Sequence, residues 1–269
     1  MTAAAIPPTV TEPVRRRARL GRYALWQFGD FGVNVAIITL ILFALLGVMF
    51  LMNQDAQIAY LASRKMKMPL EAKLQSFTML LTMFTTVAPF IAMSGVFATD
   101  RSNGYTRFLF SKPMSPVRFY AQSVLVRLIG YLAVGCALML VWSRYSPPGI
   151  SLRFVADLTG AFFAIGGIIF LLSVVTRYDG LIAIVFVLVS AIAWDKWEQA
   201  TGLRRAVTYL VPPIGKMKAT HAWFLGLNDI GSLVDVPFPT KWFLWTSGYG
   251  LACLVLGLVL MRKVSLTKS

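Results

Sequence analysis

The chain has 269 residues, of which 57% are hydrophobic and only 14% charged, and its mean hydropathy is +0.69. A soluble domain carries about a quarter charged residues, so an ordinary globular enzyme is disfavoured. The net charge of +15 sits between long apolar runs, as membrane flanks facing anionic headgroups do, and this placement speaks against nucleic acid as a partner.

Residues 1–14 form a short polar, Pro-bearing tail. Arg15, Arg16, Arg17, Arg19 and Arg22 follow, interleaved with Leu20 and then Tyr23, Trp26 and Phe28. Basic and aromatic residues in such a stretch suit an amphipathic helix lying in the membrane interface. We therefore divide the chain into a cytoplasmic tail and interfacial helix, 1–30, and a membrane domain, 31–269.

A spanning helix needs about 20 mostly apolar residues. Six runs qualify: Phe31–Met52, Leu74–Ala98 with Pro89 inside, Val124–Trp142, Phe154–Val175, Gly180–Trp194 (or on to Trp197), and Trp242–Met261. Backbone groups in lipid must be satisfied within their own segment, so the runs are expected as helices, and the alternation of a membrane barrel is absent. The expected class is all-α and polytopic, with six transmembrane helices. The first run begins too late and is too long for a signal-peptide core, so it reads as retained.

Thirteen Lys/Arg fall on the N-terminal side of this layout and twelve on the other, with Arg127 inside the third run. The total does not decide orientation, but the arginine cluster ahead of the first run favours a cytoplasmic N-terminus. Six spans return Arg262, Lys263 and Lys268 to the same side. Trp142, Trp194, Trp197, Trp242 and Trp245 then all fall at outer ends and Trp26 at the inner one, where amphipathic rings favour the interface. Both termini are thus expected in the cytoplasm of a multi-pass protein of the plasma or inner membrane.

Charged residues inside membrane runs are costly and mark functional candidates. Arg127 lies near the inner start of the third run, where its side chain can snorkel to water. Asp157 and Asp195 lie near the outer ends of the fourth and fifth runs, and their plainer reading is as interface-solvated carboxylates. No midplane carboxylate or proton relay stands out, which counts against an ion-coupled secondary transporter. The single histidine, His221, falls in the connection between the last two runs, so a Ser–His pair at depth is not expected. Cys136 and Cys253 are too few for a disulfide framework or a metal cluster. No Gly-x-x-x-x-Gly-Lys-Ser/Thr pattern is present, so the chain is not expected to hold ATP itself. Energised work would draw on a partner.

Between the second and third runs the chain reads Thr99-Asp100-Arg101-Ser102-Asn103-Gly104-Tyr105-Thr106-Arg107-Phe108-Leu109-Phe110-Ser111-Lys112-Pro113-Met114-Ser115-Pro116. Tyr105, Phe108 and Leu109 fall at i, i+3 and i+4, one apolar face of a short helix. Gly104 can break the continuation from the second run, and Lys112-Pro113 ends the short helix. Ser115 and Pro116 form an N-cap and first-turn pair for the next helix. Arg101, Arg107, Lys112 and Arg118 surround the element. It is either a basic inner loop that follows topology or a docking element for a cytoplasmic protein, since aromatics and arginines are the types enriched in interfaces.

The pattern Asp100-Arg101-x-x-Gly104-Tyr105-x-Arg107-Phe108-Leu109-x-x-x-Pro113-x-Ser115-Pro116 resembles the corresponding loop of ABC-2 type transporter permeases. The six-run layout, the interfacial N-terminal stretch and the long connection before the last run are similar too. Asp100 stands where Glu is commoner, and Tyr105 where Thr is. The resemblance implies a cytoplasmic coupling helix docking on an ABC-type ATPase subunit, with ATP and Mg held by that subunit and no cofactor on this chain. It also implies a second permease copy, most simply in a homodimer. Docking residues are then Asp100, Arg101, Gly104, Tyr105, Arg107, Phe108, Leu109 and Pro113, with Asp100 capping or pairing a neighbouring arginine. These residues couple; none is catalytic. A non-transporting membrane anchor that recruits a cytoplasmic enzyme through the same loop is the alternative.

Glu198–Lys241, between the last two runs, contains Pro212-Pro213, His221, Trp223 and Val236-Pro237-Phe238-Pro239. The resemblance implies short re-entrant helices here, forming a lid over the pathway. The residues alone fit an outer loop packed on helix ends equally well, with His221 a hydrogen-bonded loop residue. Gly130, Gly135, Gly160, Gly166 and Gly167 permit close helix approach. A substrate site is not exposed by the sequence.

Overall fold

The computed structural model describes residues 70–102, 115–143, 152–176, 178–197, 201–224 and 238–267, with scattered positions between 25 and 47. In chain order the helices are α1 (Leu70–Met93), α2 (Ala98–Ser102), α3 (Pro116–Trp142), α4 (Leu152–Val175), α5 (Asp179–Trp197), α6 (Leu203–Leu210), a 3-10 turn (Ile214–Lys216), α7 (Met217–Phe224) and α8 (Thr240–Thr267). No strand occurs among the described residues, so the all-α class holds.

Among the described residues, four helical segments are long and apolar enough to cross a membrane: Leu80–Arg101, Pro116–Val141, Leu152–Val175 and Thr240–Met261. They coincide with four of the six expected runs. The fifth run is helical, but its apolar part, Asp179–Trp194, at about 1.5 Å per residue is shorter than the roughly 30 Å hydrocarbon core. The first run and the interfacial stretch lie, apart from isolated positions, outside the described residues. Among the described residues there are thus four membrane-length helices and a shorter apolar one.

The second run is not one continuous helix. It breaks at Gly95; the expected break at Gly104 lies outside the described residues. Gly95 has φ +71°, a left-handed conformation that glycine adopts without steric cost. Leaving the helix there frees backbone groups that neighbours must satisfy. The Gly95 amide donates to Asp179 Oδ2 at 2.7 Å, and the Ala92 carbonyl accepts a hydrogen bond from Arg127 Nη1.

α4 is the central element, with most of its length buried. It packs against α1, α3, α5, α7 and, most extensively, α8. Glycine makes the last contact possible: a Cβ on Gly167 would collide with the Gly250 backbone, and one on Gly250 with the backbone at Phe163. Of the other glycines singled out in sequence, Gly160 faces Phe243, Gly166 faces Met93, Gly135 faces Leu158 and Gly130 faces Phe31.

The bundle has two ends. At one, which we call the loop end, the α1–α2 break, the start of α3 and the turn between α4 and α5 lie together. At the other, the connection end, sit α6, the 3-10 turn and α7. Trp194 lies there 5.2 Å from Trp242 and 6.4 Å from Trp245. Of the five tryptophans assigned to one face, Trp194, Trp242 and Trp245 thus lie together; the side chains of Trp142 and Trp197 lie outside the described residues.

Candidate functional site

At the connection end, α5 fastens the segment leading into α7. Pro212 and Pro213 lack amides, so the segment offers carbonyls that need donors. Ser190 Oγ donates to the Pro212 carbonyl, and Trp194 Nε1 donates to that of Val211 at 2.8 Å. The chain then turns through Ile214–Lys216 into α7, which lies against α1, α4 and α8. Short helices therefore do form within the long connection, and one of them is inserted among the membrane-length helices.

This insertion carries His221 into the interior. The imidazole is fully buried, as is Thr85 of α1, and Asp157 of α4 is only 2% exposed. His221 Nδ1 is hydrogen-bonded to Asp157 Oδ2. Nε2 lies 2.9 Å from Thr85 Oγ1, and that hydroxyl is 2.8 Å from the Leu81 carbonyl and 3.1 Å from that of Thr82. Pro89, one turn beyond Thr85, removes the amide that would otherwise bond the Thr85 carbonyl. Three helices, α1, α4 and α7, are thereby joined through one imidazole.

Two expectations are corrected here. Asp157 is not an interface-solvated carboxylate; it is a buried partner of His221. The histidine does not stay in a surface loop, and a hydroxyl–imidazole pair is built at depth, with threonine in place of serine. The reason is that α7 folds into the bundle, which the spacing of His221 from the apolar runs does not reveal. Asp195 belongs to α5, and its side chain lies outside the described residues.

The order hydroxyl, imidazole, carboxylate matches that of a hydrolytic nucleophile relay. The surroundings differ. Thr85 is fully buried and is absent from the lining of the adjoining cleft, which reaches Asp157 instead. That narrow cleft runs between α4, the 3-10 turn, α7 and α8, with Lys216, Thr220, Trp242, Thr246 and Ser247 on its walls. On α3, Tyr131 is buried and stacks on Phe84 at 5.1 Å. Its hydroxyl has no hydrogen-bond partner among the described residues.

At the loop end the structure places the first two expected docking residues. Asp100 Oδ2 accepts a hydrogen bond from the Tyr120 hydroxyl at 2.9 Å. Arg101 Nη1 donates to the Val174 carbonyl at 3.4 Å and lies over the Phe97 ring at 5.9 Å. Asp100 thus pairs with a tyrosine across the loop, although it has further contacts as well. Gly104, Tyr105, Arg107, Phe108, Leu109 and Pro113 lie outside the described residues. α3 begins at Pro116 as expected; Ser115 adopts an extended conformation before it but makes no side-chain capping bond. Arg127 does not simply reach for water. Besides Ala92, it meets Ser123 Oγ at 3.4 Å and the Phe31 ring at 5.0 Å.

Thr85, Tyr120, Tyr131 and Asp179 were not legible as site residues. The available signals were weak: a proline one turn after Thr85, and an aspartate at the N-terminus of α5. No family model, curated protein or solved structure matches this chain.

Proposed function

We propose that this chain is the transmembrane permease subunit of an ATP-binding cassette exporter. In this reading it works as a homodimer in the plasma or inner membrane, with both termini cytoplasmic. The Asp100–Arg118 element docks on a separate ATPase subunit, which holds ATP and Mg. Closure of the ATPase pair moves that segment, and the bundle shifts between a closed and an open arrangement.

The observation that carries the reading is the Tyr120–Asp100 hydrogen bond. It closes the base of the loop, and Arg101 ties the same base to the last turn of α4 through the Val174 carbonyl. A push on the loop therefore reaches α2, α3 and α4 together, as a coupling element requires. The motif resemblance and the four membrane-length helices support the same conclusion.

The test is co-purification of the tagged protein from native membranes in mild detergent, with an ATPase assay on what is recovered. A stoichiometric P-loop ATPase, lost on Arg107→Glu combined with Phe108→Ala, is expected. Recovery of the chain without an ATPase across several detergents, or retention of the partner by the double variant, would overturn the reading. Recovery with a soluble enzyme that is no ATPase would favour the anchor alternative.

A further inference from the structure

We propose that Asp157 and His221 form a proton-binding site, open to the cleft at the connection end of the bundle. The inference does not depend on the permease reading, because it concerns groups within this chain alone.

The bonding pattern supplies the first argument. With one proton, held on Nδ1 toward Asp157, the pair carries a net negative charge and Nε2 accepts the Thr85 hydroxyl. With two protons the pair is net neutral. The second proton resides either on Nε2 or on Asp157 Oδ1, for which the described residues provide no hydrogen bond. If Nε2 carries it, Nε2 donates to Thr85, whose hydroxyl turns to the Leu81 carbonyl 2.8 Å away. The Asp157–Nδ1 and Nε2–Thr85 contacts therefore both persist when Nε2 takes the second proton, while the Thr85 hydroxyl proton changes acceptor from Nε2 to the Leu81 carbonyl. A pair that keeps both of its contacts while its proton count changes is suited to exchange a proton.

The surroundings supply the second. From α1 the pair meets the Thr85 hydroxyl, and the neighbouring Phe84 stacks on Tyr131 of α3 at 5.1 Å. The 3-10 turn brings the Lys216 ammonium to the cleft, whereas α8 brings Trp242, Phe243, Thr246 and Ser247, none of them ionisable near neutrality. The Tyr131 hydroxyl, which has no hydrogen-bond partner among the described residues, is a further buried polar group on α3.

The third is access. Asp157 lies five residues into α4, about 8 Å from its start at 1.5 Å per residue. It lines the cleft that Lys216 and Trp242, residues of the connection end, also line. Of the two residues only Asp157 lines the cleft, so a proton entering there arrives at Asp157 and is shared with His221.

His221 is the only histidine in the chain, so histidine labelled with nitrogen-15 yields the signals of one ring. The protein is reconstituted in lipid nanodiscs and taken from about pH 8 to about pH 5, with nitrogen chemical shifts and pH-difference infrared spectra recorded. Uptake of one proton is expected, seen as a second ring N–H or as a protonated carboxyl band that Asp157→Asn removes. Should Asp157→Asn not fold, Thr85→Val keeps the pair and deletes only its hydroxyl. That variant should change the proton affinity of the site by about threefold or more, the size of one net hydrogen bond. No change of protonation in the wild type across this range would overturn the proposal. So would an uptake that neither variant alters.

Discussion

Gly167 of α4 and Gly250 of α8 meet backbone to backbone, with no space for a Cβ on either. In lipid, apolar burial does not drive helices together, so close van der Waals packing must supply much of the association. The sequence singles out Gly167 among several glycines of the fourth run, but its partner Gly250 only the structure identifies.

Gly167→Leu should separate α4 from α8 along much of their contact. Overpacking of this kind costs about 1–3 kcal/mol or more, because the opposing atoms are backbone and cannot rotate away. A lowered midpoint of thermal unfolding in detergent is expected. Gly248→Ala, at a position where a Cβ meets nothing within 4 Å, serves as the control and should be near neutral.

Asp179→Ala should leave the Gly95 amide without the acceptor that the break in the second run requires. An unsatisfied, partly buried donor costs about 1–3 kcal/mol. Gly95→Ala should act independently of it, through the strain of a side chain at positive φ, about 1–2 kcal/mol, and a clash with Thr99 Oγ1. Hydrogen exchange of the amides at residues 94–101 should accelerate in both variants while the centre of α4 stays protected.

Arg127→Met keeps an unbranched stem against Phe31 and removes the guanidinium that donates to the Ala92 carbonyl. Loss of a charged hydrogen bond costs about 1.5–3 kcal/mol. Arg127→Lys should recover only part of it, since a single ammonium cannot reproduce the fork that meets Ala92 and Ser123 at once. The two variants are ranked by their denaturation midpoints in mixed micelles; equal midpoints for wild type and methionine would show that the contact contributes nothing.

Tyr120→Phe should leave the bundle folded and loosen the base of the loop. If the loop docks on an ATPase, partner binding should persist while transport-linked stimulation of ATP hydrolysis falls several-fold, as happens when a link between two sites worth about 1–3 kcal/mol is cut. Unchanged stimulation would remove Tyr120–Asp100 from the coupling path.

Hydropathy and end signals are local properties, and they were legible. The apolar runs at Val124–Trp142, Phe154–Val175 and Trp242–Met261 each lie within an observed helix, and Pro116 opens α3 where the turn chemistry places it. Even here the reading failed once, at Gly95. A glycine within an apolar run has no signature of positive φ unless the acceptor for its amide is known, and that acceptor, Asp179, is 84 residues away.

By itself, then, the sequence determined that this is an all-α chain with membrane-length helices, and where most of them begin and end. Those features follow from what each segment demands of its immediate solvent. Which polar groups meet was decided only in three dimensions. Thr85 and His221 are separated by 136 residues and His221 and Asp157 by 64, and their meeting depends on α7 folding back between α1 and α4. The physical reason is that an interior hydrogen bond depends on distance and direction, which are set by helix packing. A hydropathy pattern averages over both.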